Sequence, residues 1–233
     1  MAVTAAAVGP GVGALTLLGI AVANAEWLAA GGAGVLALLV TIGIFGCGLA
    51  LLPTHALSLA CGWAFGGVAG AAVAVATVTV ASVVTGALAR RVVGHDFVHA
   101  IHDRAPHLAG VHSALAEAST LRTMVLIALL RLSPAVPFAA MNVLLTAADI
   151  RWRSYLTGTA IGMAPRVTAV ALLGGTLSSL DFDAPNAPWI AIAGIVATVI
   201  AIILIGVITR EALRRVASES LDAAPATGGD AAP

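Results

Sequence analysis

One arginine and two prolines interrupt an otherwise apolar stretch of this chain, which reads LLRLSPAVPFAAMN from Leu129 to Asn142. Arg131 follows Arg122 by nine residues, or about 13 Å at the rise of a helix, which brings it close to the centre of a bilayer. A guanidinium at that depth is costly and marks a functional site. Because its planar fork of donors fits a pair of phosphate oxygens, we predict that Arg131 binds a phosphate group.

Pro134 and Pro137 divide residues 123–148 into two halves, each too short to cross a bilayer. Prolines leave backbone carbonyls unpaired at the end of the first half, and the second half presents its positive N-terminal end to an anion. Asn142 adds an amide that serves either the ligand or the freed carbonyls. In the alternative interpretation, Arg131 and Asn142 satisfy only the backbone of this hairpin.

Arg166 is a second charged residue inside an apolar segment, eleven residues after Tyr155 and therefore about 16 Å along a helix. It follows Pro165, and a proline inside a helix exposes backbone carbonyls. We include Arg166 in the predicted substrate site. Capping of those carbonyls, or an ion pair with Asp149, is the alternative.

The composition is that of an integral membrane protein. The chain is 60% hydrophobic and 9% charged, with a mean hydropathy of +1.05, whereas soluble domains are about 25% charged. The net charge is zero, so no strong field favours nucleic acid, and we exclude it as a partner. Cys47 and Cys61 lack metal-ligand spacing, so we expect small buried side chains there, with no metal and no cofactor.

Five apolar segments are each long enough to cross the hydrocarbon core as a helix: residues 3–25, 35–52, 68–89, 155–174 and 189–209. Two further segments, residues 53–67 and 123–148, contain proline or glycine that breaks a regular helix. We expect glycines at the tip of the first to let backbones approach closely. Its candidate site residues are Pro53, His55, Gly62, Gly66 and Gly67.

Arginine placement predicts how the chain threads the membrane, because short cytoplasmic loops are enriched in basic residues. Both ends of residues 123–148 carry arginine, so this segment is predicted to be a re-entrant hairpin from the cytoplasm. Residues 53–67 then form an opposed hairpin from the outer side, with the N-terminus outside and the C-terminus in the cytoplasm. Opposed broken segments indicate an inverted-repeat transporter with its site near the midplane. The flanking arginines are Arg90, Arg91, Arg104, Arg122, Arg151, Arg153 and the cluster at residues 210–215.

Two other segments allow more than one interpretation. Residues 23–25 resemble a signal-peptidase site, but no basic region precedes the apolar run, so we do not expect cleavage. Five of the six histidines lie in residues 94–112. Metal binding or pH sensing is conceivable there, but an amphipathic helix on the cytoplasmic membrane surface is favoured.

An enzyme is not expected. The sequence has no HExxH motif, no pair of membrane-embedded aspartates, and no His or Lys at a depth that would activate Ser133.

Four motifs carry a family resemblance: GWAFG after a leading proline, a span that ends in ARRVVG, RLSPAVPFAAMN, and IGMAP. In this order and spacing, over about residues 51–174, they resemble the VTT-domain family, the SNARE-associated Golgi protein or DedA superfamily. The resemblance implies a helical membrane protein with two opposed re-entrant hairpins. Characterised members move lipids, as scramblases in eukaryotes and as carriers of undecaprenyl phosphate or phospholipid in bacteria.

Bacterial DedA members pair membrane-embedded acids with arginines and use the proton gradient. Here His55 stands where those members tend to carry an acid. The chain therefore looks closer to the bacterial Tvp-type branch, and this departure from the DedA pattern does not favour proton coupling.

The resemblance and the residues together give a set of expectations. We expect an all-α, multi-pass protein of the bacterial plasma (inner) membrane that moves anionic lipids, phospholipid or polyprenyl phosphate, as a flippase or scramblase. The alternatives are a small-ion or proton-coupled transporter and a structural membrane factor without transport. Membrane lipids are the expected partners, and a homo-oligomer is left open. The predicted divisions are N-terminal spans (1–50), the VTT-like domain (51–174) with a cytoplasmic amphipathic loop (90–122), a last span (175–209), and a cytoplasmic tail (210–233), disordered from residue 218.

Overall fold

The computed structural model describes residues 25–92, 119–132, 138–147, 150–181 and 184–222, and every regular element within these ranges is an α-helix. The helices are α1 (Ala25–Ala29), α2 (Ala33–Gly48), α3 (Thr54–Phe65), α4 (Gly67–Val92), α5 (Thr120–Leu132), α6 (Phe138–Ala147), α7 (Trp152–Ser178) and α8 (Ala187–Asp222).

Three helical stretches are long and apolar enough to cross a membrane: Gly67–Ala89 in α4, Trp152–Ser178 in α7 and Ala187–Thr209 in α8. The expected all-α membrane protein is thereby confirmed. Helix α2 is apolar but has 16 residues, and the predicted span at residues 3–25 lies outside the described residues. The count of five spans and the second re-entrant hairpin stay predictions.

Helices α2 and α4 lie side by side and run in the same direction. Near the middle of α2, a Cβ on Gly43 would lie 2.5 Å from the side chain of Thr77 on α4. Further along both helices, the hydroxyl of Thr85 donates to the carbonyl of Gly48 at 2.6 Å. Helix α3 runs the opposite way, because its C-terminal end packs against Gly70 near the start of α4. The pair formed by α2 and α3 therefore reverses beside the C-terminal half of α4.

This arrangement corrects the predicted first hairpin. Residues 54–65 form one helix rather than two halves of a hairpin, and the chain reverses before it, at residues 49–53, and after it, at Gly66. Ala50 has a φ of 59° in the first reversal, and Gly66 has a φ of 78° in the second. Pro53 occupies the N-cap position with extended backbone, where it precedes a helix instead of breaking one.

Gly62 and Gly67 belong to a helix contact rather than to the tip of a hairpin. A Cβ on Gly62 would clash with the carbonyl oxygen of Ala171 on α7, and one on Gly67 would lie 2.8 Å from the side chain of Leu172. A Cβ on Gly66 would have no described atom within 4 Å. The predicted close approach thus applies to Gly62 and Gly67, whereas Gly66 is needed for its left-handed backbone.

Helices α5 and α6 form a second pair on α7. Helices α5 and α7 run in the same direction, because Gly158 packs against Ile127 and Gly162 against Arg131. Helix α6 returns, since Thr146 near its end lies beside Gly86 at the C-terminal end of α4. The start of α5 and the end of α6 therefore both lie at the N-terminal end of α7, while the C-terminal end of α5 lies part way along α7.

The two helix pairs point in opposite directions. Helices α4 and α7 are antiparallel, because Tyr155 bonds to Ser82 near one end of the bundle and Gly175 packs against Gly67 near the other. The end of α2 and the start of α3 lie towards the Tyr155 end of the bundle. The start of α5 and the end of α6 lie at that same end. The two pairs are thus opposed within the described helices, whereas the predicted entry of two hairpins from opposite sides of a membrane stays a prediction.

The C-terminal helix is longer than predicted. Helix α8 continues to Asp222, so the predicted disorder of residues 218–222 is wrong, and residues 223–233 lie outside the described part. Large apolar side chains on α8, such as Ile208 and Trp189, are exposed, as expected for a helix that faces lipid. The histidine-rich residues 94–112 and the cleavage motif at residues 23–24 also lie outside the described residues.

The contact at Gly62 gives the first prediction. Gly62→Ala should lower the free energy of unfolding by roughly 1–3 kcal/mol, because a methyl group there would force α3 and α7 apart. The matched control is Gly34→Ala on α2, where the new Cβ would lie 3.7 Å from Trp27 in ordinary contact. Unfolding of both variants in detergent checks this. Equal stability of the two variants would contradict the close packing.

Candidate anion-binding site

Arg131 lies in the last turn of α5 and is almost fully buried, with 3% of its surface exposed. A Cβ on Gly162 of α7 would lie 2.7 Å from the Cβ of Arg131. Because glycine at this position lets the two helices approach closely, the arginine side chain enters the space between α5, α6 and α7. The described structure thus keeps this charge inside the helix bundle.

Two kinds of contact hold the guanidinium of Arg131. Its Nη2 donates a hydrogen bond to Oδ1 of Asn142, which is completely buried on α6. Its central carbon lies 5.1 Å from the ring centre of Phe138 and 5.7 Å from that of Tyr155. Aromatic faces attract cations at these distances. Arg131 is therefore held by α6 and α7, with two neutral hydrogen-bond partners, the amide of Asn142 and the hydroxyl of Tyr155.

The hydroxyl of Tyr155 connects this site to α4. It lies 2.9 Å from the carbonyl oxygen of Ser82 and 3.0 Å from Oδ1 of Asn142. A phenol carries one proton and so donates to one of these oxygens at a time. Tyr155 therefore fixes α4 relative to the α5–α6 pair and stabilises the orientation in which the Asn142 oxygen faces Arg131.

Several buried donors at this site have no hydrogen-bond partner among the described residues. They are Nε and Nη1 of Arg131 and Nδ2 of Asn142. An unpaired buried donor costs about 1–3 kcal/mol, and a charged one costs more. Oxygen atoms of an anion would satisfy all three, so the arrangement is suited to bind one.

Arg166 lies on α7 one helical turn beyond Gly162 and is half-buried. Its Nη2 lies 3.2 Å from the sulfur of Met163, which is a weak acceptor, and its Nε has no partner among the described residues. The charge of Arg166 acts electrostatically on both Arg131 and His55. The alternative partner Asp149 lies outside the described residues.

The structure brings some of the predicted site residues together and separates others. Arg131 and Asn142 are in contact, and Arg166 is one turn from the Gly162 contact. His55 lies exposed in the first turn of α3. The remaining predicted residues do not contact this group: Pro134 and Pro137 lie outside the described residues, Pro53 caps α3, Gly62 and Gly67 pack against the C-terminal half of α7, and Gly66 forms the turn after α3.

Sequence reasoning missed Tyr155, Phe138 and Ser82. Tyr155 is the single tyrosine of the chain, and a tyrosine at the edge of a span is typical of an aromatic belt rather than of a buried site. The signal that was available is its spacing from Arg166: eleven residues are about three helical turns, which puts both residues on one face of α7.

These features define a helical, multi-pass membrane protein with a buried cationic site. The family model of the VTT domain matches residues 52–176. The chain therefore belongs to the VTT domain family, as the sequence motifs indicated. No curated protein and no solved structure gives a significant match. The matched range includes Arg131, Asn142, Tyr155 and Arg166.

The position of Tyr155 gives the second prediction. Tyr155→Phe should lower the free energy of unfolding by about 1 kcal/mol, because it removes the hydrogen bond that joins α7 to α4 and α6. The matched control is Thr157→Val, which removes an exposed hydroxyl that donates a hydrogen bond to the backbone carbonyl of Arg153 on the same helix. Both are measured by unfolding in detergent. A Tyr155→Phe protein as stable as the control would show that the hydroxyl does not connect the helices.

Proposed function

We propose that the protein moves anionic lipids between membrane leaflets, as a flippase or scramblase, and that Arg131 binds the lipid phosphate. The observation that carries the proposal is the buried guanidinium with two donor atoms unpaired among the described residues. Membership of the VTT domain family, whose resemblance implies lipid movement, supports it. The placement in the bacterial Tvp-type branch is part of the same proposal.

The depth of Arg131 also supports a site for translocation. Arg131 packs against Gly162, the tenth residue after Trp152 at the start of α7. That distance is about 15 Å along the helix, or half of a hydrocarbon core about 30 Å thick. A phosphate bound there would lie near the midplane, which is the costliest position for an anion that crosses between leaflets.

The third prediction tests the role of Arg131 by lipid flipping in liposomes that contain the purified protein. Arg131→Ala should reduce the flipping rate of an anionic phospholipid at least tenfold, because a charged hydrogen bond contributes about 1.5–3 kcal/mol. Arg131→Lys should restore part of the rate, since lysine keeps the charge but loses the bidentate fork. The control is Arg122→Ala, an exposed arginine of the same helix.

A second variant separates phosphate binding from a structural role in the same assay. Asn142→Asp would place a carboxylate against Arg131, so the guanidinium would form an internal ion pair and lose its affinity for phosphate. We expect loss of flipping without loss of stability. A structural factor without transport would show no flipping in any variant, and a small-ion transporter would move an inorganic anion while the lipids stay in place. Full activity of a well-folded Arg131→Ala protein would refute the phosphate site.

Orientation is the fourth prediction. With the flanking arginines in the cytoplasm, we propose a plasma (inner) membrane protein of a bacterium whose C-terminus is cytoplasmic. A reporter active only in the cytoplasm should therefore work when it is fused after Pro233, and one active only outside should not. The opposite result would reverse the threading.

A further inference from the structure

Arg131 and Arg166 lie on the same side of α7. Arg131 packs against Gly162, and Arg166 follows Gly162 by four residues, which is about 6 Å along one helical face. The charge of Arg166 acts on Arg131 through space. The thioether of Met163 accepts a hydrogen bond from Arg166 but carries no charge. The two guanidinium groups thus form one positively charged region.

No carboxylate on helices α2 to α7 balances the charges of Arg131 and Arg166. Residues 27–95, 118–148 and 150–180 contain neither Asp nor Glu, and these ranges include the described parts of α2 to α7. Arginine does not lose its proton in proteins, so the charges cannot be removed by titration. A buried charge without a partner is strongly unfavourable, and Arg131 is such a charge close to the half-buried Arg166. A ligand that carries two negative charges would balance them.

The unpaired buried atoms indicate the same ligand chemistry. Nε and Nη1 of Arg131, Nδ2 of Asn142 and Nε of Arg166 are all donors without a partner among the described residues, and none of them can accept a hydrogen bond. The hydroxyl of Thr159, fully buried and one turn after Tyr155 on this face, is also unpaired there. The ligand must therefore supply acceptors, and an ammonium headgroup would meet few groups that could receive its protons.

We propose that Arg166 is a specificity-determining residue that, together with Arg131, selects lipids ending in a doubly charged phosphomonoester over singly charged phosphodiesters. A terminal phosphate supplies three acceptor oxygens and approaches a charge of −2 above its second pKa, which is about 6. A phosphodiester has two free oxygens and one charge, so it satisfies one guanidinium and leaves the other unbalanced. The inference rests on the proposed function, because it assigns the lipid class that the same site moves.

The experiment compares two lipids that differ by one methyl group and one charge. Purified full-length protein in liposomes is assayed with fluorescent phosphatidic acid and with its methyl ester, phosphatidylmethanol, at about pH 8, roughly two units above the second pKa of the phosphomonoester. The wild type should move phosphatidic acid about tenfold faster or more, given the strength of a charged hydrogen bond. Arg166→Gln should bring the ratio close to one, mainly by slowing phosphatidic acid.

Two further variants make the result specific. Arg153→Gln, the same substitution at an exposed position of α7, should keep the wild-type ratio. Arg166→Lys should give an intermediate ratio, and it replaces Arg166→Gln as the test variant if the latter does not fold. A wild type that moves both lipids at equal rates, or an Arg166 variant that keeps the full preference, overturns the specificity role while lipid transport stands. A wild type that moves neither lipid refutes the proposed function itself.

Discussion

The hydrogen bond between Arg131 and Asn142 links the two helices of the α5–α6 pair, and its chemistry determines what the site can do. A carboxylate in place of the amide would neutralise the guanidinium permanently. The neutral amide oxygen orients it but leaves its charge and two of its donor atoms uncompensated within the described residues. Burial makes this state costly, so the surrounding contacts must hold the side chain in place, and in the proposed function they must also leave it available to an anion.

Close helix contacts at the two ends of α7 hold this arrangement. Gly158 and Gly162 let α5 approach in the N-terminal half, while Gly174 and Gly175 let α3 and the start of α4 approach in the C-terminal half. In lipid there is no hydrophobic driving force between helices, so association depends on such close packing. Helix α7 is therefore the common contact of both helix pairs, and its glycines determine how far Arg131 lies from Arg166.

The sequence allowed the charged part of the site to be predicted because an arginine within an apolar segment is a strong and local signal. The same reasoning also identified its partner Asn142, since that residue lies in the same predicted hairpin. Ser82 was not, because it is 73 residues from Tyr155, and only packing brings them together. The first reversal was misplaced because glycine has the same sequence signature in a turn, as at Gly66, and in a tight helix contact, as at Gly62.

A site that moves a lipid must release its phosphate as well as bind it. The rings of Phe138 and Tyr155 lie against the guanidinium of Arg131, and each cation–π contact contributes roughly 0.5–2 kcal/mol. These contacts lower the free energy of the empty site and so reduce the net gain on phosphate binding. A carboxylate in place of the rings would compete too strongly with the phosphate for the guanidinium of Arg131. Aliphatic side chains there would leave the guanidinium too unstable when no ligand is bound. In the proposed function, aromatic rings and an amide thus give a site that remains folded without ligand and exchanges it.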